Sequence, residues 1–114
     1  MNNLKIFFIT IFSLIFLVAC EKKETSAPIK IAAIEPLSGP YAAVGKDTID
    51  IVTYSASVIN KNGGINGRMI EIIPMDNAMK AEKTTELLRK AIDDDIRFIT
   101  QGAGSSHALN IIKQ

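Results

Sequence analysis

The stretch Ile29-Lys30-Ile31-Ala32-Ala33-Ile34-Glu35-Pro36 decides the fold of this chain. A short apolar run that ends at a proline is typical of a buried β-strand. Met69 to Asp76 and Arg97 to Thr100 are predicted to form the second and third strands. Pro74 removes one backbone donor from the second strand, so we expect that strand at an edge of the sheet.

Helices are predicted between and after these strands. After the first strand, apolar residues recur at spacings of three, four and three on one helical face: Ile49, Val52, Ala56 and Ile59. This segment ends at Asn62-Gly63-Gly64, which predicts a glycine C-cap, and a turn is expected over Gly64 to Arg68. Lys80 to Asp93 predicts a second helix, and Ala108 to Ile112 is a final, shorter apolar stretch that predicts a third.

The element order is therefore β-α-β-α-β-α. This order predicts an α/β fold with a Rossmann-like parallel sheet, right-handed crossovers and helices on both faces. With the second strand at the edge, the strand order is 2-1-3, and ligands of such sheets bind where neighbouring connections leave in opposite directions. The loops Leu37 to Gly45 and Gln101 to Ser106 are therefore expected to flank one crevice.

Residues 1–19 are predicted to be a signal peptide. A charged start precedes an apolar run of 14 residues, which is shorter than the roughly 20 residues of a membrane-spanning helix. The run closes on Leu17-Val18-Ala19-Cys20, which is similar to the lipobox of bacterial lipoproteins. Cys20 is the only cysteine, and we expect it to be acylated and to attach the protein to a membrane. The alternative is an ordinary secretory signal with an incidental cysteine.

The remaining chain divides into a tether and one folded region. Residues 20–28 are charged, lack apolar periodicity and are expected to be a lipidated tether. Residues 29–114 are expected to be the N-terminal portion of a truncated binding domain, because the last predicted helix has no cap and no following strand. Residues 20–114 carry 12 basic and 12 acidic side chains, a balance that argues against a nucleic-acid-binding surface.

The loop Gly102-Ala103-Gly104-Ser105-Ser106 carries the strongest binding signal. Glycines let the backbone approach a ligand, and free amides at the start of a helix face an anion. We expect a ligand carboxylate to be bound there by Ser105 and the adjacent amides. The simpler alternative is that Ser105 or Ser106 only caps the helix.

Other polar residues predict no metal site, no cofactor and no catalytic centre. His107, the only histidine, falls in the first turn of the last helix and is expected to be an exposed neutral ring, with a ligand contact as the alternative. Asp93-Asp94-Asp95 lacks the alternating ligand spacing of a calcium loop. Glu35 and Asp76 each end a strand on the crevice side, but nothing in the sequence pairs either with a nucleophile.

Several segments, taken together and in order, resemble the leucine/isoleucine/valine-binding family of periplasmic binding proteins. They are Ile29 to Ala32, Pro36 to Tyr41 with Gly45, Asn60 to Arg68, Asp76-Asn77 and Gly104 to Ser106. The resemblance implies two Rossmann-like lobes joined by a hinge, with this chain supplying part of lobe one. It also implies an extracytoplasmic protein that captures branched-chain or related amino acids for an ABC transporter permease.

The resemblance also implies site residues. The serine that holds the ligand carboxylate in this family corresponds to Ser105, with Ser106 and Gly104 as neighbours, and the region Tyr41 to Val44 also contacts the ligand. Val44 stands where some members have an aromatic residue, and His107 and Ala108 stand where members often have serine or threonine. Amides, urea and aromatic acids therefore stay open as ligands.

The sequence also bears on three other function classes. A sensory ligand-binding domain of the same fold is disfavoured by a lipobox without a transmembrane helix. A dinucleotide-dependent enzyme is disfavoured because Leu37 to Tyr41 lacks the Gly-x-Gly-x-x-Gly turn. A structural surface lipoprotein would show no saturable response to a ligand.

Overall fold

The structure is a computed structural model that describes residues 26–113. Its elements alternate along the chain as predicted: β1 (Ile29–Glu35), α1 (Ala42–Lys61), β2 (Ile70–Asp76), α2 (Ala81–Asp93), β3 (Phe98–Thr100) and α3 (Ser105–Ile112). The predicted signal peptide and Cys20 lie outside the described residues. Within the described part of the chain, no helix combines the length and the apolar character that crossing a bilayer requires.

The three strands form a parallel sheet in the order β2-β1-β3. Glu35 lies opposite Asp76, and Ala33 lies opposite both Pro74 on one side and Thr100 on the other. The prediction that β2 is an edge strand is confirmed, because β2 lies at one end of the described sheet and pairs with β1 alone. Pro74 suits this position because it has no backbone N–H to donate to a second neighbouring strand.

The central strand β1 separates two layers of helix. Ala32 and Ile34 point to one face, where α2 packs through Leu88 and Ala91, and α3 packs against α2. Ile31 points to the other face, together with apolar side chains of α1. Side chains alternate between the two faces of a strand, so an apolar run such as β1 is buried on both sides.

Helix α1 begins earlier than the apolar spacing predicts. Its first residue is Ala42, so Val44 and Gly45 lie inside the helix and not in the loop where they were predicted. A Cβ atom on Gly45 would lie 2.0 Å from the carbonyl oxygen of Pro36. Gly45 is therefore needed for the close approach of α1 to the chain that leaves β1, and not for a turn.

The end of α1 follows the prediction of a glycine C-cap. The N–H of Gly64 donates to the carbonyl of Ile59 at 3.0 Å, and the N–H of Gly63 donates to Asn60 at 3.0 Å. Gly63 has a φ of 93°, and this arrangement is a Schellman motif. The chain then turns back before entering β2.

Candidate functional site

The carboxyl ends of β1 and β3 meet at one edge of the sheet, and the buried side chain of Glu35 joins the loops that follow them. Glu35 is the last residue of β1 and is fully buried. Its Oε1 atom accepts the N–H of Gly102, and its Oε2 atom accepts the N–H of Ala103 at 3.1 Å. Both oxygens are thereby engaged in holding the loop after β3.

Two opposing effects act on the ionisation of Glu35. Burial raises the pKa of the Glu35 carboxyl, and the N–H groups of Gly102 and Ala103 act in the opposite direction because they stabilise the carboxylate. The balance is a raised pKa. The sequence placed Glu35 at this edge but did not predict its partners. A carboxylate between an apolar strand and a proline is the signal that could have found them.

Asp76, at the end of β2, holds the loop after β1 in the same way. Its Oδ1 atom accepts the N–H of Leu37 at 2.8 Å, and its Oδ2 atom accepts the hydroxyl of Ser38 at 2.7 Å. The hydroxyl of Ser38, the N–H groups of Ala78 and Leu37 and the ammonium of Lys83 at 3.8 Å lower the pKa of Asp76 to about 2. An ionised Asp76 therefore fixes the start of the loop that leads to Tyr41.

Helix α3 begins at Ser105, three residues before the predicted apolar stretch. Gly104 occupies the N-cap position with a φ of 88°, and no side chain caps this helix. The simpler alternative, that Ser105 or Ser106 only caps the helix, is therefore wrong. Gly104 provides the first intrahelical acceptor instead, because its carbonyl accepts the N–H of His107 at 3.0 Å.

Both serines of this loop are exposed. They stand at the first two helical positions, where backbone N–H groups have no acceptor within the helix. The positive end of the helix dipole lies at the same place. Ser105 and Ser106 therefore present hydroxyl groups beside amide donors, an arrangement suited to an anion.

The structure buries His107, contrary to the expectation of an exposed ring. Only 5% of its surface is exposed, because α3 packs its first turn against α2. The ring lies directly under Gly104: a Cβ atom added there would be 2.6 Å from its Cδ2 atom. The local sequence predicts an exposed ring because it does not show that α2 packs over the first turn of α3.

A chain of buried polar groups supports the ring from below. Thr84 Oγ1 lies 3.3 Å from Nδ1 of His107 and accepts the side-chain N–H of Asn77 at 3.1 Å. The single hydroxyl hydrogen of Thr84 is directed at the carbonyl of Lys80, 2.9 Å away. Because that hydrogen is engaged, the contact with His107 requires a hydrogen on Nδ1, and the hydrogen-bond network assigns the neutral ring to the Nδ1–H tautomer.

The first turns of α1 form the neighbouring wall. Tyr41 and Val44 are about half exposed, and the carbonyl of Val44 accepts the hydroxyl of Thr48 at 2.9 Å. The methyl group of Thr48 approaches the loop after β3, since a Cβ atom on Gly102 would lie 3.0 Å from it. The structure thus brings the start of α1 beside the glycine-rich loop, on the same edge as the two serines.

Within residues 26–113, the acidic side chains do not form a metal centre. No group of three or more His, Cys, Asp or Glu side chains in this part of the chain could hold a metal ion. Asp94 accepts a bond from Lys90 at 2.9 Å, and Asp95 accepts bonds from Arg97 at 3.2 Å, all on exposed side chains. Asp94 and Asp95 therefore form ion pairs at the surface.

Sequence comparison places this arrangement among known proteins. The model of the family "Periplasmic binding protein" matches residues 28–114. Leu/Ile/Val-binding protein homolog 4 of Brucella abortus is 37% identical over 84 residues, which are 74% of this chain and 20% of that protein. The Leu/Ile/Val-binding protein of Escherichia coli is 28% identical over 71 residues, or 62% of this chain and 19% of that protein. The chain spans about a fifth of the length of these curated relatives.

Solved structures give the same assignment. A leucine-, isoleucine-, valine-, threonine- and alanine-binding protein from Brucella ovis, in a closed conformation, superposes with a TM-score of 0.70 at 37% identity, over 75% of this chain and 22% of that one. A periplasmic binding protein type 1 from Bordetella pertussis gives a TM-score of 0.68 at 33% identity, over 75% of this chain and 24% of that one. By its sequence and by its fold, the chain belongs to the periplasmic binding protein family.

Proposed function

We propose that this chain carries the carboxylate-binding part of an amino-acid site, in an exported solute-binding protein that serves an ABC importer. The observation that carries the proposal is the uncapped start of α3, where Ser105 and Ser106 are exposed beside free amide donors. A ligand carboxylate would accept the Ser105 hydroxyl and the first N–H groups of the helix, with Ser106 and Gly104 as neighbours. No cationic side chain is needed for this interaction.

The wall formed by the start of α1 would face the rest of the ligand. Tyr41 and Val44 offer an aromatic ring and an aliphatic side chain, about half exposed, next to the glycine-rich loop. Apolar surface of this kind suits the side chain of leucine, isoleucine or valine. The names of the relatives, which specify leucine, isoleucine and valine, support the same ligand class.

The buried carboxylate of Glu35 would make this site rigid without competing with the ligand for its donors. Both oxygens of Glu35 are engaged by Gly102 and Ala103, so this negative charge points into the loop and not into the crevice. A preorganised set of donors loses little freedom when the ligand binds. We infer that the site binds its ligand without converting it, because it presents donors and apolar surface, and among residues 26–113 no basic side chain is bonded to the hydroxyl of Ser105 or Ser106.

Hinge closure over the ligand and delivery to a permease complete the proposal. The second lobe would supply the remaining contacts, as expected for binding proteins that close around their ligands. Acylation at Cys20 would hold the protein at the outer surface of a membrane. Cys20→Ala should release the protein from the membrane fraction into the soluble fraction, whereas continued membrane association would refute the lipid anchor.

Thermal unfolding of the full-length protein without residues 1–20 tests the binding site. The protein is melted with amino acids, amides and urea, and a ligand at 100 times its Kd should add about 2.7 kcal/mol of stability. We expect leucine, isoleucine or valine to raise Tm, and we expect Ser105→Ala to lose most of the shift. Ser55→Ala is the matched control, because Ser55 is an exposed helical serine bonded to its own helix at Ile51.

Each result of this experiment has a defined meaning. A shift with amides or urea alone would keep a solute-binding site but replace the amino-acid ligand. A shift that Ser105→Ala and Ser55→Ala reduce equally would place the ligand away from α3. No shift with any compound in the panel would refute the proposed ligand class.

A further inference from the structure

The turn between β2 and α2 holds two consecutive residues in the left-handed backbone conformation. Ala78 has a φ of 48° and Met79 has a φ of 58°. This conformation is unfavourable for a residue with a Cβ atom, and such residues usually occur singly. A strained pair persists only where its surroundings fix it, so the groups that it brings together are of interest.

Hydrogen bonds fix the shape of this turn. The N–H of Ala78 donates to Oδ1 of Asp76 at 2.8 Å. The N–H of Met79 donates to Oδ1 of Asn77 at 2.9 Å, and the N–H of Lys80 donates to the carbonyl of Asn77 at 2.9 Å. Asn77 itself is fully buried. The turn is therefore a built part of the fold, joined to the end of β2 and the start of α2.

The turn carries the side chain of Met79 to Gly104, in the loop after β3. A Cβ atom built on Gly104 would lie 2.9 Å from Cε of Met79 and 2.6 Å from Cδ2 of His107. The space in which another residue would place its side chain is thus occupied by the methyl group of Met79 and the ring of His107. Met79 and Gly104 are in contact although they are 25 positions apart in the sequence.

The backbone of Gly104 sets the direction of the candidate carboxylate site. Gly104 has a φ of 88°, and its carbonyl accepts the N–H groups of His107 at 3.0 Å and of Ala108 at 3.3 Å. The amides of Ser105 and Ser106 follow directly. A rotation at Gly104 would turn these donors away from a ligand, and glycine opposes such a rotation less than any other residue. The neighbours of Gly104 must therefore supply the restraint.

We propose that Met79 is a positioning residue of this site, whose side chain holds Gly104 in the conformation that directs the first amides of α3 at the ligand. The inference rests on the proposed function, because it gives Met79 a role in that same site. Methionine suits the role, since its unbranched and polarizable side chain fills irregular spaces. The strained turn at Ala78 and Met79 is then part of the site, because it brings the thioether to Gly104.

Two glycine substitutions separate the Met79 side chain from the shape of the turn. Glycine adopts a positive φ without strain, so Met79→Gly and Ala78→Gly relieve the turn in the same way. Only Met79→Gly removes the group that lies against Gly104. The alternative is that the left-handed pair merely reverses the chain before α2, and in that case neither variant should impair the site.

Ligand binding is measured by calorimetry on the full-length protein without residues 1–20. The probe is whichever of leucine, isoleucine and valine raises Tm most. We expect Met79→Gly to raise Kd about fivefold or more, because a loosened Gly104 spends less time in the binding conformation. Ala78→Gly keeps the Met79 side chain and should leave Kd within about twofold of the wild type.

Met79→Leu tests whether packing alone restores the site. Leucine has a volume close to that of methionine and should return Kd to within about threefold of the wild type. A Kd as high in Met79→Leu as in Met79→Gly would show that filling the space beside Gly104 is not what the site requires, and it would overturn the proposal.

Hydrogen exchange in the ligand-free protein keeps this proposal separate from the proposed function. The amide of His107 donates to the carbonyl of Gly104, so its exchange reports on how firmly Gly104 is held. We expect exchange about fivefold or more faster in Met79→Gly and within about twofold of the wild type in Ala78→Gly. If the wild type binds none of the three amino acids, the proposed ligand class fails, and the exchange rates alone decide whether Met79 holds Gly104.

Three further results would overturn the proposal. The first is an unchanged exchange rate at His107 in Met79→Gly. The second is faster exchange in Met79→Gly with an unchanged Kd, because the site would then not depend on the hold on Gly104. The third is an equal rise of Kd in Met79→Gly and Ala78→Gly, because the stiffness of the turn and not the Met79 side chain would then determine binding.

Discussion

The hydroxyl of Thr84, in the first turn of α2, lies 3.3 Å from Nδ1 of His107, in the first turn of α3. Both residues are buried, and the contact links two helices that also meet at the apolar core, where Ile111 packs against the cluster that contains Leu88. The His107 ring in turn lies directly beneath Gly104, where the candidate carboxylate site begins. The shape of the site thus depends on a residue 20 positions earlier in the chain that never faces the crevice.

Thr84→Val should destabilise the protein by about 1–3 kcal/mol, because the substitution keeps the shape and leaves His107 and Asn77 with buried groups that lack a partner. Urea unfolding measures the loss. Thr85→Val is the control, since the Thr85 hydroxyl is bonded only to Ala81 of its own helix at 3.3 Å among the described residues. Equal losses in the two variants would contradict a special role for Thr84.

The His107 ring should be the Nδ1–H tautomer when it is neutral. Thr84 can accept a hydrogen from Nδ1 but cannot donate one while its own hydrogen is bonded to Lys80. Nitrogen-15 NMR distinguishes the two tautomers, and the assignment is direct because His107 is the only histidine in the sequence. Observation of a predominant Nε2–H tautomer would contradict the network, and Thr84→Val should weaken the preference for Nδ1–H.

Gly104→Ala should cost more stability than a positive φ alone explains. The new Cβ atom would lie 2.6 Å from His107 Cδ2 and 2.9 Å from Met79 Cε. Gly67→Ala is a matched control, because Gly67 has a φ of 80° with no atom within 4 Å of the added methyl group. We expect a loss of about 1 kcal/mol at Gly67 from backbone strain and about 2–4 kcal/mol at Gly104.

The difference between those two variants isolates the contact with the ring. Similar losses would show that the loop shifts to accommodate the methyl group. A larger loss at Gly104, combined with weaker ligand binding, would support the view that His107 sets the position of the loop.

Much of the fold could be predicted from the sequence because its signals are local. An apolar run ending at Pro36, a one-sided helix over Lys80 to Asp93 and two glycines after Asn62 each act through neighbours in the chain. Pro74 added one piece of tertiary information, since a missing donor restricts a strand to an edge. These features together led to the parallel order β2-β1-β3 that the structure has.

The interior of the site could not be predicted in the same way. Glu35 accepts the N–H of Gly102, 67 residues away. Its place between an apolar strand and a proline indicates a buried carboxylate but does not identify the amides that it binds. The burial of His107 depends on how α2 and α3 pack, which the properties of one helix end do not determine. Local patterns specify elements, whereas a buried polar contact is specified only once the elements are assembled.

Glu35→Gln should loosen the loop after β3. A glutamine side chain has one oxygen acceptor and one NH2 donor. Its oxygen could accept the N–H of either Gly102 or Ala103, and its NH2 group would then face the other N–H, with which it cannot form a hydrogen bond. We expect a loss of about 1–3 kcal/mol from the buried unsatisfied donors. Hydrogen exchange at the Ala103 amide should become faster, and Glu71→Gln, at an exposed position of β2, serves as the control. An unchanged exchange rate at Ala103 would contradict the role assigned to Glu35.

Asp76 should make the stability depend on acid pH. The folded protein lowers the pKa of Asp76 from 3.8 to about 2, chiefly through the hydroxyl of Ser38, so the unfolded chain binds the proton more readily. The stabilising contribution is therefore present above about pH 4 and is lost as the pH falls toward 2. Because the side chain is 32% exposed, water weakens the interaction, and we expect Asp76→Asn to cost about 1–2 kcal/mol at pH 7.

Urea unfolding of the wild type and of Asp76→Asn at pH 7, 4 and 2.5 measures this contribution directly. Burial raises the pKa of Glu35, so Glu35 makes the protein more stable as the pH falls, opposite to the effect of Asp76. Both proteins contain Glu35, so comparing them at each pH cancels its contribution. The gap between them should be widest at pH 7, slightly smaller at pH 4 and markedly reduced at pH 2.5. Asp93→Asn, an exposed change at the end of α2, should produce no comparable trend. A gap of constant size at all three pH values would mean that Asp76 acts through the shape of its side chain and not through its charge.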